Sequence, residues 1–485
     1  MKCNVSKLCG GCPYLALPYE TQLQAKQKQV EELLKANHLK IKVNPIIGAQ
    51  KIKGYRNKVI VGFAKHKGKI VSGLYAAHSH RVIATRHCLM HPELINRIIQ
   101  RITEYLDSMK IELYNERTGT GLLRHVLIRY AQNTKEVMVV FVTARPQFPS
   151  RRNLVNLLVK EFPEIKTILQ SVNARQTSVV MENEAFILYG EGVITDELCG
   201  LDFTMTANSF YQIHHDQCER LYQLAKKKLH LSGREKVLDT YCGIGTIGLT
   251  LADQCKKVTG VEINADSIVL AKENAKQNHI RNAEFVSMDS TKFMMEAKRF
   301  HHAFDVIVLD PPRAGTTKTF IESACSLHPK KILYISCDPR TLVRDLKTFF
   351  RLGYQSKTLD LVDMFPNTDH VETIVLLSHK SPDSVINATV EFGEGEGKVP
   401  LNKIAERTKK YQPKPKITYQ MIQEYVEKNY GFKVHTAYIA EVKRSLGLTT
   451  YDAPNAIEEL KHPRKHPPKE KAEAITEALK YYEVI

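Results

Sequence analysis

Between residues 201 and 380 the sequence alternates short, almost continuous apolar runs with longer amphipathic stretches. The apolar runs EKVLDTYC, KVTGVEIN, AEFVSMD, FDVIVLDPP and KKILYISCDP are typical of parallel strands that helices cover on both faces. A further pair, YQSKTLDLVDMF and HVETIVLLSH, has no helix between its members, which predicts an antiparallel hairpin at the sheet edge. The pattern therefore predicts an α/β fold with a Rossmann-like, doubly wound sheet.

The rest of the chain divides around this sheet. Residues 1–200 mix helical and strand patterns, which predicts a separate α+β region before the sheet domain of 201–380. Residues 381–415 are rich in Gly, Pro and Lys and are typical of a linker. Residues 416–485 repeat apolar residues at helical spacing, so we expect a small helical module there.

The charge is strongly positive and unevenly distributed. The net formal charge is +18, and residues 1–100 hold 17 Lys and Arg against four Asp and Glu. Lys51–Ile70 contains seven basic residues and no acid, alternating with apolar ones, which predicts a strand pair with one cationic face. A solvated surface would explain an ordinary charge run, but a region this one-sided favours a polyanionic partner, and nucleic acid is the obvious one.

Nothing in the sequence suggests a membrane protein. No apolar run approaches the roughly 18 residues that span a bilayer, and the N-terminus has no basic-then-apolar signal pattern. We therefore expect a cytoplasmic protein whose ten cysteines stay reduced unless they bind metal or take part in chemistry. A monomer is the expected oligomeric state.

A glycine turn joins the first strand of the sheet to a helix. LDTYCGIGTIGL contains Gly243 and Gly245, which let the backbone approach a ligand, but it lacks the full G-x-G-x-x-G spacing of nicotinamide sites. Glu262 ends the next strand and can accept both hydroxyls of an adenosine ribose, and Asp310 ends a third strand at the same sheet edge. These features favour S-adenosyl-L-methionine (SAM), and a doubly wound sheet closed by a hairpin is the class I SAM-dependent methyltransferase variant of the fold.

Cys337 ends the strand next to the one that ends at Asp310, so both should face one crevice. A free cysteine is more often a small buried hydrophobe. Beside a SAM site it suits methylation of a pyrimidine at carbon 5, because a thiolate that adds to carbon 6 makes carbon 5 nucleophilic. A carboxylate must then remove the carbon 5 proton, and Glu372 is the first candidate, with Asp360 and Asp363 as alternatives.

Six stretches together resemble the RNA uracil-5-methyltransferase family, and most closely its 23S ribosomal RNA branch: SFYQIH, LDTYCGIGTIGL, VEIN, DPPRAG, YISCDPRTLVRDL and MFPNTDHVETIVLL. The resemblance extends from Cys3 to about Lys380. It implies that Cys337 is the nucleophile and Glu372 the general base. It also implies a SAM site formed by Gln212, Tyr241, Glu262 and Asp310.

Four cysteines of the N-terminal region have the spacing of a metal site. Cys3, Cys9 and Cys12 form a C-x5-C-x2-C pattern, and Cys88 is a distant fourth. The spacing suits an iron–sulfur cluster or a four-cysteine zinc site and does not distinguish them. The family resemblance implies a 4Fe-4S cluster that holds an RNA-binding lobe together.

The resulting hypothesis is a SAM-dependent enzyme that methylates carbon 5 of a specific uridine in 23S rRNA. Methylation of a tRNA uridine by the same chemistry is the nearest alternative, although the tRNA branch of the family generally lacks the cluster. A catalytically idle RNA-binding or assembly protein is an alternative from another class. The resemblance does not include the β-barrel RNA-binding domain of some members, and the helical module is equally well interpreted as an RNA contact or as a packing or partner-binding appendage.

Overall fold

The computed structural model describes residues 2–76, 79, 81–175, 180, 181, 185–379, 418–446, 448 and 466–482. The linker predicted for 381–415 lies outside these residues. The chain forms two compact units, Met1–Pro382 and Asp383–Ile485. Because the first unit spans residue 200, the domain boundary predicted there stays a prediction.

Helices and strands are mixed throughout the described part of the first unit. The helices are α1 (Ser6–Cys9), α2 (Tyr19–Ala36), α3 (Glu93–Ser108), α4 (Arg151–Glu161), α5 (His215–Leu229), α6 (Thr246–Leu251), α7 (Ala265–Gln277), α8 (Ser290–Arg299), α9 (Lys318–Ser326) and α10 (Pro339–Arg351). The strands are β1 (Lys42–Val43), β2 (Lys58–His66), β3 (Lys69–Tyr75), β4 (Val82–Ala84), β5 (Leu123–Tyr130), β6 (Val137–Thr143), β7 (Ile165–Val172), β8 (Ala185–Tyr189), β9 (Ile194–Leu198), β10 (Leu201–Met205), β11 (Lys236–Thr240), β12 (Lys257–Glu262), β13 (Ala283–Ser287), β14 (Val306–Leu309), β15 (Lys331–Ser336), β16 (Tyr354–Gln355), β17 (Thr358–Val362) and β18 (Glu372–His379).

The larger sheet has the strand order β1-β17-β18-β15-β14-β11-β12-β13, with β16 beside β18. Strands β11 to β15 run parallel, and β18 is antiparallel to both β15 and β17, as the sequence predicts. The hairpin is not at the edge, however, because the two-residue strand β1 pairs parallel to β17 on its outer side. Val30 and Leu34 of helix α2, which precedes β1 in the chain, are buried in the apolar core on one face of this sheet. Their burial holds the β1 segment at the edge of the sheet.

The apolar strands of this sheet are buried on both faces. In β14, Val306 and Val308 belong to the core on one face, whereas Ile307 and Leu309 belong to the core on the other. This alternation within a continuous apolar run is what helices on both sides of a parallel sheet require. The carboxyl ends of the parallel strands consequently meet at one edge, where loops carry the polar residues.

A second sheet, of order β4-β3-β2-β5-β6-β7-β8, lies in the N-terminal half, and β9 pairs with β10 separately. Helices α3 and α4 pack on one face of this sheet through a common apolar core. The predicted basic strand pair is the β2–β3 hairpin. Lys65, Lys67 and Lys69 are exposed at its tip, whereas Lys58, at its base, is half-buried.

The second unit contains the helices α11 (Tyr419–Tyr430), α12 (Thr436–Ser445) and α13 (Lys469–Tyr481). These helices pack around a small apolar core of their own, formed by Ile422, Val426, Val434, Ile439, Val442, Ala474, Ile475, Ala478 and Leu479. The predicted helical module is therefore present. Among the described helices of both units, none has the length and hydropathy to cross a membrane.

Candidate active site

A cleft of about 1060 Å³ brings together the predicted nucleophile, the first candidate base, the predicted SAM-binding residues and the four N-terminal cysteines. The loops after β11, β12, β14 and β15 form one wall, and the N-terminal cysteine region and β2 contribute to the rest. The predicted residues that line the cleft are Cys3, Cys9, Cys12, Cys88, Gln212, Tyr241, Glu262, Asp310, Cys337 and Glu372.

The glycine turn after β11 is built from left-handed backbone. Tyr241, Gly243 and Gly245 have φ angles of 63°, 55° and 86°. A Cβ atom on Gly245 would also come within 3.2 Å of Phe285 and would be tight there. Around Gly243 the space is open, so a ligand can approach the backbone closely.

The turn is joined directly to Glu262. Gly243 N donates to Glu262 Oε2 at 3.2 Å, and Asn264 N donates to Glu262 Oε1 at 2.9 Å. Two backbone donors thus hold this carboxylate at the end of β12, on the wall of the cleft. A fixed acceptor pair beside a glycine turn is the arrangement that binds ribose hydroxyls in doubly wound folds.

Gln212 and Asp310 contact each other at the centre of the cleft. Gln212 Nε2 donates to Asp310 Oδ2 at 3.4 Å. Burial raises the pKa of Asp310 to about 7, and the hydrogen bond from Gln212 opposes this shift. Gln212 had no signal of its own in the sequence outside the family resemblance, because its partner is 98 residues away.

Tyr241 connects the glycine turn to the loop after β14. Its hydroxyl lies 2.9 Å from Thr316 Oγ1. Thr316 N donates to Asp345 Oδ2 at 3.0 Å, and Tyr334 Oη donates to the same oxygen at 2.6 Å. This chain of contacts fixes the DPPRAG loop, which includes Asp310, against α10.

Cys337 and Glu372 lie at the ends of two neighbouring strands. Ser336 is paired with Thr373 in the β15–β18 ladder, and Thr373 Oγ1 donates to Ser336 O at 2.8 Å. Cys337 directly follows β15, and Glu372 is the first residue of β18; both line the cleft. The structure therefore brings the predicted nucleophile and the predicted base to the same cleft, and their catalytic roles stay predictions.

The site disfavours the charged form of both groups. Burial raises the pKa of the Cys337 thiol to about 11, and the carboxyl groups of Glu372 and Asp310 add to the rise. Burial and Asp310 raise the pKa of Glu372 well above its usual range. Arg313, which the sequence analysis quoted only as part of DPPRAG, lines the cleft and opposes both shifts.

The two alternative bases are engaged elsewhere. Lys26 Nζ donates to Asp363 Oδ1 at 2.5 Å, and both side chains are fully buried. Asp360 forms an ion pair with Lys228 and accepts a hydrogen bond from Asn44. Neither aspartate is among the cleft-lining residues, so the geometry favours Glu372.

The four N-terminal cysteines share one wall of the cleft. Cys3, Cys12 and Cys88 pack around a small apolar cluster that includes Tyr55 and Met90. Burial raises the pKa of Cys12 to about 11, and the thiols of Cys88, Cys9 and Cys3 contribute to the rise. Among the described residues, however, no group of three or more Cys, His, Asp or Glu side chains is close enough together to hold a metal ion. The iron–sulfur cluster therefore stays a prediction.

Fold and site together define the class of protein. Class I SAM-dependent methyltransferases have a doubly wound sheet with an antiparallel last strand, a glycine turn, and a carboxylate held at the end of the second strand. This protein has all three features. A sequence profile of the tRNA (uracil-5-)-methyltransferases matches residues 18–380, three-quarters of the chain. The chain belongs to that family.

Relatives and solved structures agree with this assignment. The chain is 37% identical over 378 residues to an uncharacterised RNA methyltransferase of Clostridium tetani, covering 78% of this chain and 82% of that protein. It is 38% identical over 379 residues to another from Bacillus cereus, with the same coverage. The crystal structure of the Pyrococcus abyssi tRNA (uracil-54, C5)-methyltransferase with S-adenosyl-L-homocysteine (SAH) aligns with a TM-score of 0.64 and 30% identity, covering 76% of this chain and 84% of that one.

These comparisons confirm the predicted family, the α/β methyltransferase fold and SAM as the methyl donor. The protein is an RNA uracil-5-methyltransferase.

Proposed function

We propose that this enzyme methylates carbon 5 of a specific uridine in 23S rRNA through a covalent bond between Cys337 and carbon 6 of the uracil. The observation that carries the proposal is the juxtaposition of Cys337 and Glu372 in a cleft that also contains Glu262 and Asp310. Methyl transfer to carbon 5 requires a nucleophile and a separate base on the same ring, and these two side chains supply them.

In the proposed reaction, the Cys337 thiol gives its proton to solvent water, and the thiolate Sγ bonds to carbon 6. The electron pair of the ring double bond moves toward oxygen 4 as an enolate. Carbon 5 then bonds to the methyl group, the sulfonium–methyl bond breaks, and its electron pair stays on sulfur to give SAH. Glu372 as carboxylate removes the proton left on carbon 5, the ring double bond re-forms, and the bond from Sγ to carbon 6 breaks.

The methyl donor is proposed to lie between the glycine turn and the Gln212–Asp310 pair. Glu262, held by two backbone donors, accepts the ribose hydroxyls. Gln212, Asp310 and Tyr241 line the same cleft as this carboxylate and Cys337. A shared cleft is what the reaction needs, because the methyl group must face the target base.

Burial disfavours the ionised forms of both reactive groups, so the proposed reaction needs a group that stabilises these forms. The proximity of Arg313 lowers the pKa of both Cys337 and Glu372 and thus favours the thiolate and the carboxylate. We propose that Arg313 positions and stabilises these charges. The target uridine must leave its stack to reach Cys337, so base flipping is part of the proposal.

The choice of 23S rRNA rests on the four cysteines. We propose that Cys3, Cys9, Cys12 and Cys88, which line the same cleft, bind a 4Fe-4S cluster, the feature of the 23S rRNA branch that the sequence resembles. The proposal rests on that resemblance and requires the four thiols to come closer together than they are in this structure. Four thiolates fit such a cluster chemically, and it would stabilise the N-terminal wall against which RNA binds. Protein purified without oxygen should be brown and contain iron and sulfide, whereas colourless protein with stoichiometric zinc would contradict the cluster.

A tRNA uridine is the second candidate substrate. It is favoured by the description of the matching family and by the substrate of the Pyrococcus abyssi enzyme. The catalytic residues and chemistry would be the same. In either case we propose a monomeric enzyme that acts in the cytoplasm.

Nucleoside mass spectrometry tests the proposal. The protein and SAM are incubated with unmodified 23S rRNA and, separately, with unmodified tRNA. New 5-methyluridine only in rRNA is the expected result, and signal only in tRNA would replace the substrate while keeping the mechanism. If the protein binds SAH but no 5-methyluridine forms in either RNA, the result would favour an RNA-binding role without catalysis.

A further inference from the structure

Lys58 lines the active-site cleft, as Arg56 and Arg313 also do, and it is half-buried there. It is the first residue of β2, whereas Lys65 and Lys67 lie exposed at the far end of the hairpin. In the described part of the chain, the Lys58 side chain has no hydrogen bond or ion pair. An anion that binds in the cavity would offset the cost of leaving such a half-buried cation without an anionic partner.

Arg129, the residue opposite Lys58, adds a second positive charge that an anion could balance. Lys58 is paired with Arg129 in the β2–β5 ladder, and the Arg129 guanidinium is almost fully buried. Arg129 donates to Ala207 O at 3.1 Å and to Ser209 O. These partners are neutral carbonyl groups, so the positive charge of Arg129 is not balanced. Burial and the charge of Arg129 lower the pKa of Lys58 to about 8.

The location of Lys58 relates this anion site to the reaction. Arg129 holds the segment that leads to Gln212, and Asn57 Nδ2, next to Lys58, donates to Gln212 O at 2.8 Å. Ser209 and Gln212 line the same cleft as Lys58. An anion bound by Lys58 would therefore lie in the same cleft in which the target base is proposed to meet the methyl donor.

We infer that Lys58 binds a phosphate group of the substrate RNA adjacent to the flipped uridine. The inference rests on the proposed function, which supplies the RNA. A compact ammonium group on a flexible stem suits a single phosphate oxygen, and a flipped nucleotide brings its own phosphates to the mouth of the cleft. The other anion that could reach this region is the carboxylate of the methyl donor, and the experiment separates the two.

The first test compares Lys58→Gln, Lys58→Arg and the control Lys160→Gln. Lys160 is exposed on α4, which covers the opposite face of the same sheet. Affinity for unmodified 23S rRNA fragments and tRNA transcripts is measured by fluorescence anisotropy over a series of KCl concentrations. Lys58→Gln should bind RNA about tenfold more weakly at low salt, and its salt slope should fall by about 0.7 to 0.9, the value for one lost phosphate contact. Lys58→Arg and Lys160→Gln should keep the wild-type slope.

SAH affinity is measured on the same variants by calorimetry and should not change. An unchanged salt slope for Lys58→Gln would overturn the inference, and weaker SAH binding with an unchanged slope would assign Lys58 to the methyl donor. The wild-type protein provides a second test that needs no variant. Acetylation of its lysines, read by mass spectrometry, should be suppressed by RNA at Lys58 and not at Lys160.

Equal acetylation of Lys58 with and without RNA would also contradict the inference. Failure of the proposed function is recognised separately, because it appears as absence of 5-methyluridine with wild-type protein, whatever the salt slopes are.

Discussion

At the scale of single residues, the site is defined by burial of groups that must ionise. Cys337 and Glu372 both lie in a cleft wall where their charged forms are disfavoured, and Arg313 is the cation that opposes this effect on both. The sequence could predict Cys337 and Glu372 because strand ends and the family motifs carry them. It could not exclude Asp360 and Asp363, because the lysines that bind these aspartates are distant in the chain.

The raised pKa of Cys337 gives a direct prediction for the free enzyme. Because its pKa is about 11, only about one molecule in a thousand carries the thiolate at pH 8. Alkylation of Cys337 by iodoacetamide should therefore be slow at pH 7 to 8 and should rise about tenfold per pH unit toward pH 10. Peptide mass spectrometry resolves this cysteine from the others.

Arg313→Gln removes the nearby cation and should slow the alkylation of Cys337 further at a given pH. Fast alkylation of wild-type Cys337 at pH 7, with no dependence on pH, would contradict the burial argument.

At the scale of elements, the sequence predicts most strands of the larger sheet but not the short strand at its edge. The five parallel strands and the antiparallel β17–β18 pair follow from apolar runs and connections, and the structure contains them. Strand β1 could not be predicted, because two residues, Lys42 and Val43, carry no periodic signal and pair with residues more than 300 positions away. Local patterns predict strands, whereas their partners depend on packing of the whole chain.

Gly245→Ala tests the function of the glycine turn. Gly245 and Gly233 both have φ of 86°, but only Gly245 lies in the turn, while a Cβ on Gly233 would meet open space. Either alanine should cost about 1–3 kcal/mol through left-handed strain. Only Gly245→Ala should also weaken SAH binding, by about tenfold or more, which calorimetry measures beside urea unfolding. Equal SAH affinity of the two variants would mean that the turn does not shape the methyl donor site.

At the scale of the whole molecule, the catalytic machinery belongs to one unit. All the cleft-lining residues lie within Met1–Pro382, and the helices of the second unit have a separate apolar core. The sequence predicted this helical module and its separation by a linker, but helical periodicity contains no information about what the module binds. Lys58, a cleft residue of the N-terminal region, was visible in the sequence only as part of a basic stretch.

A chain truncated after Pro382 should therefore fold and bind SAH with an affinity within about twofold of the full-length protein. Calorimetry with SAH and circular dichroism provide the measurement. If the truncated protein is soluble and folded but loses SAH binding, the second unit contributes to the site in a way that its own core does not suggest.

The covalent role of Cys337 is tested most directly by trapping. Glu372→Gln keeps the size of the side chain but cannot remove the carbon 5 proton, so elimination of the thiol should stall. Incubation of this variant with SAM and the substrate RNA should give a protein–RNA adduct that survives denaturing electrophoresis, with the methylated uridine attached to the peptide of Cys337. The matched double variant Cys337→Ala, Glu372→Gln should give none. Normal turnover by Glu372→Gln without an adduct, or 5-methyluridine made by Cys337→Ala, would contradict the mechanism.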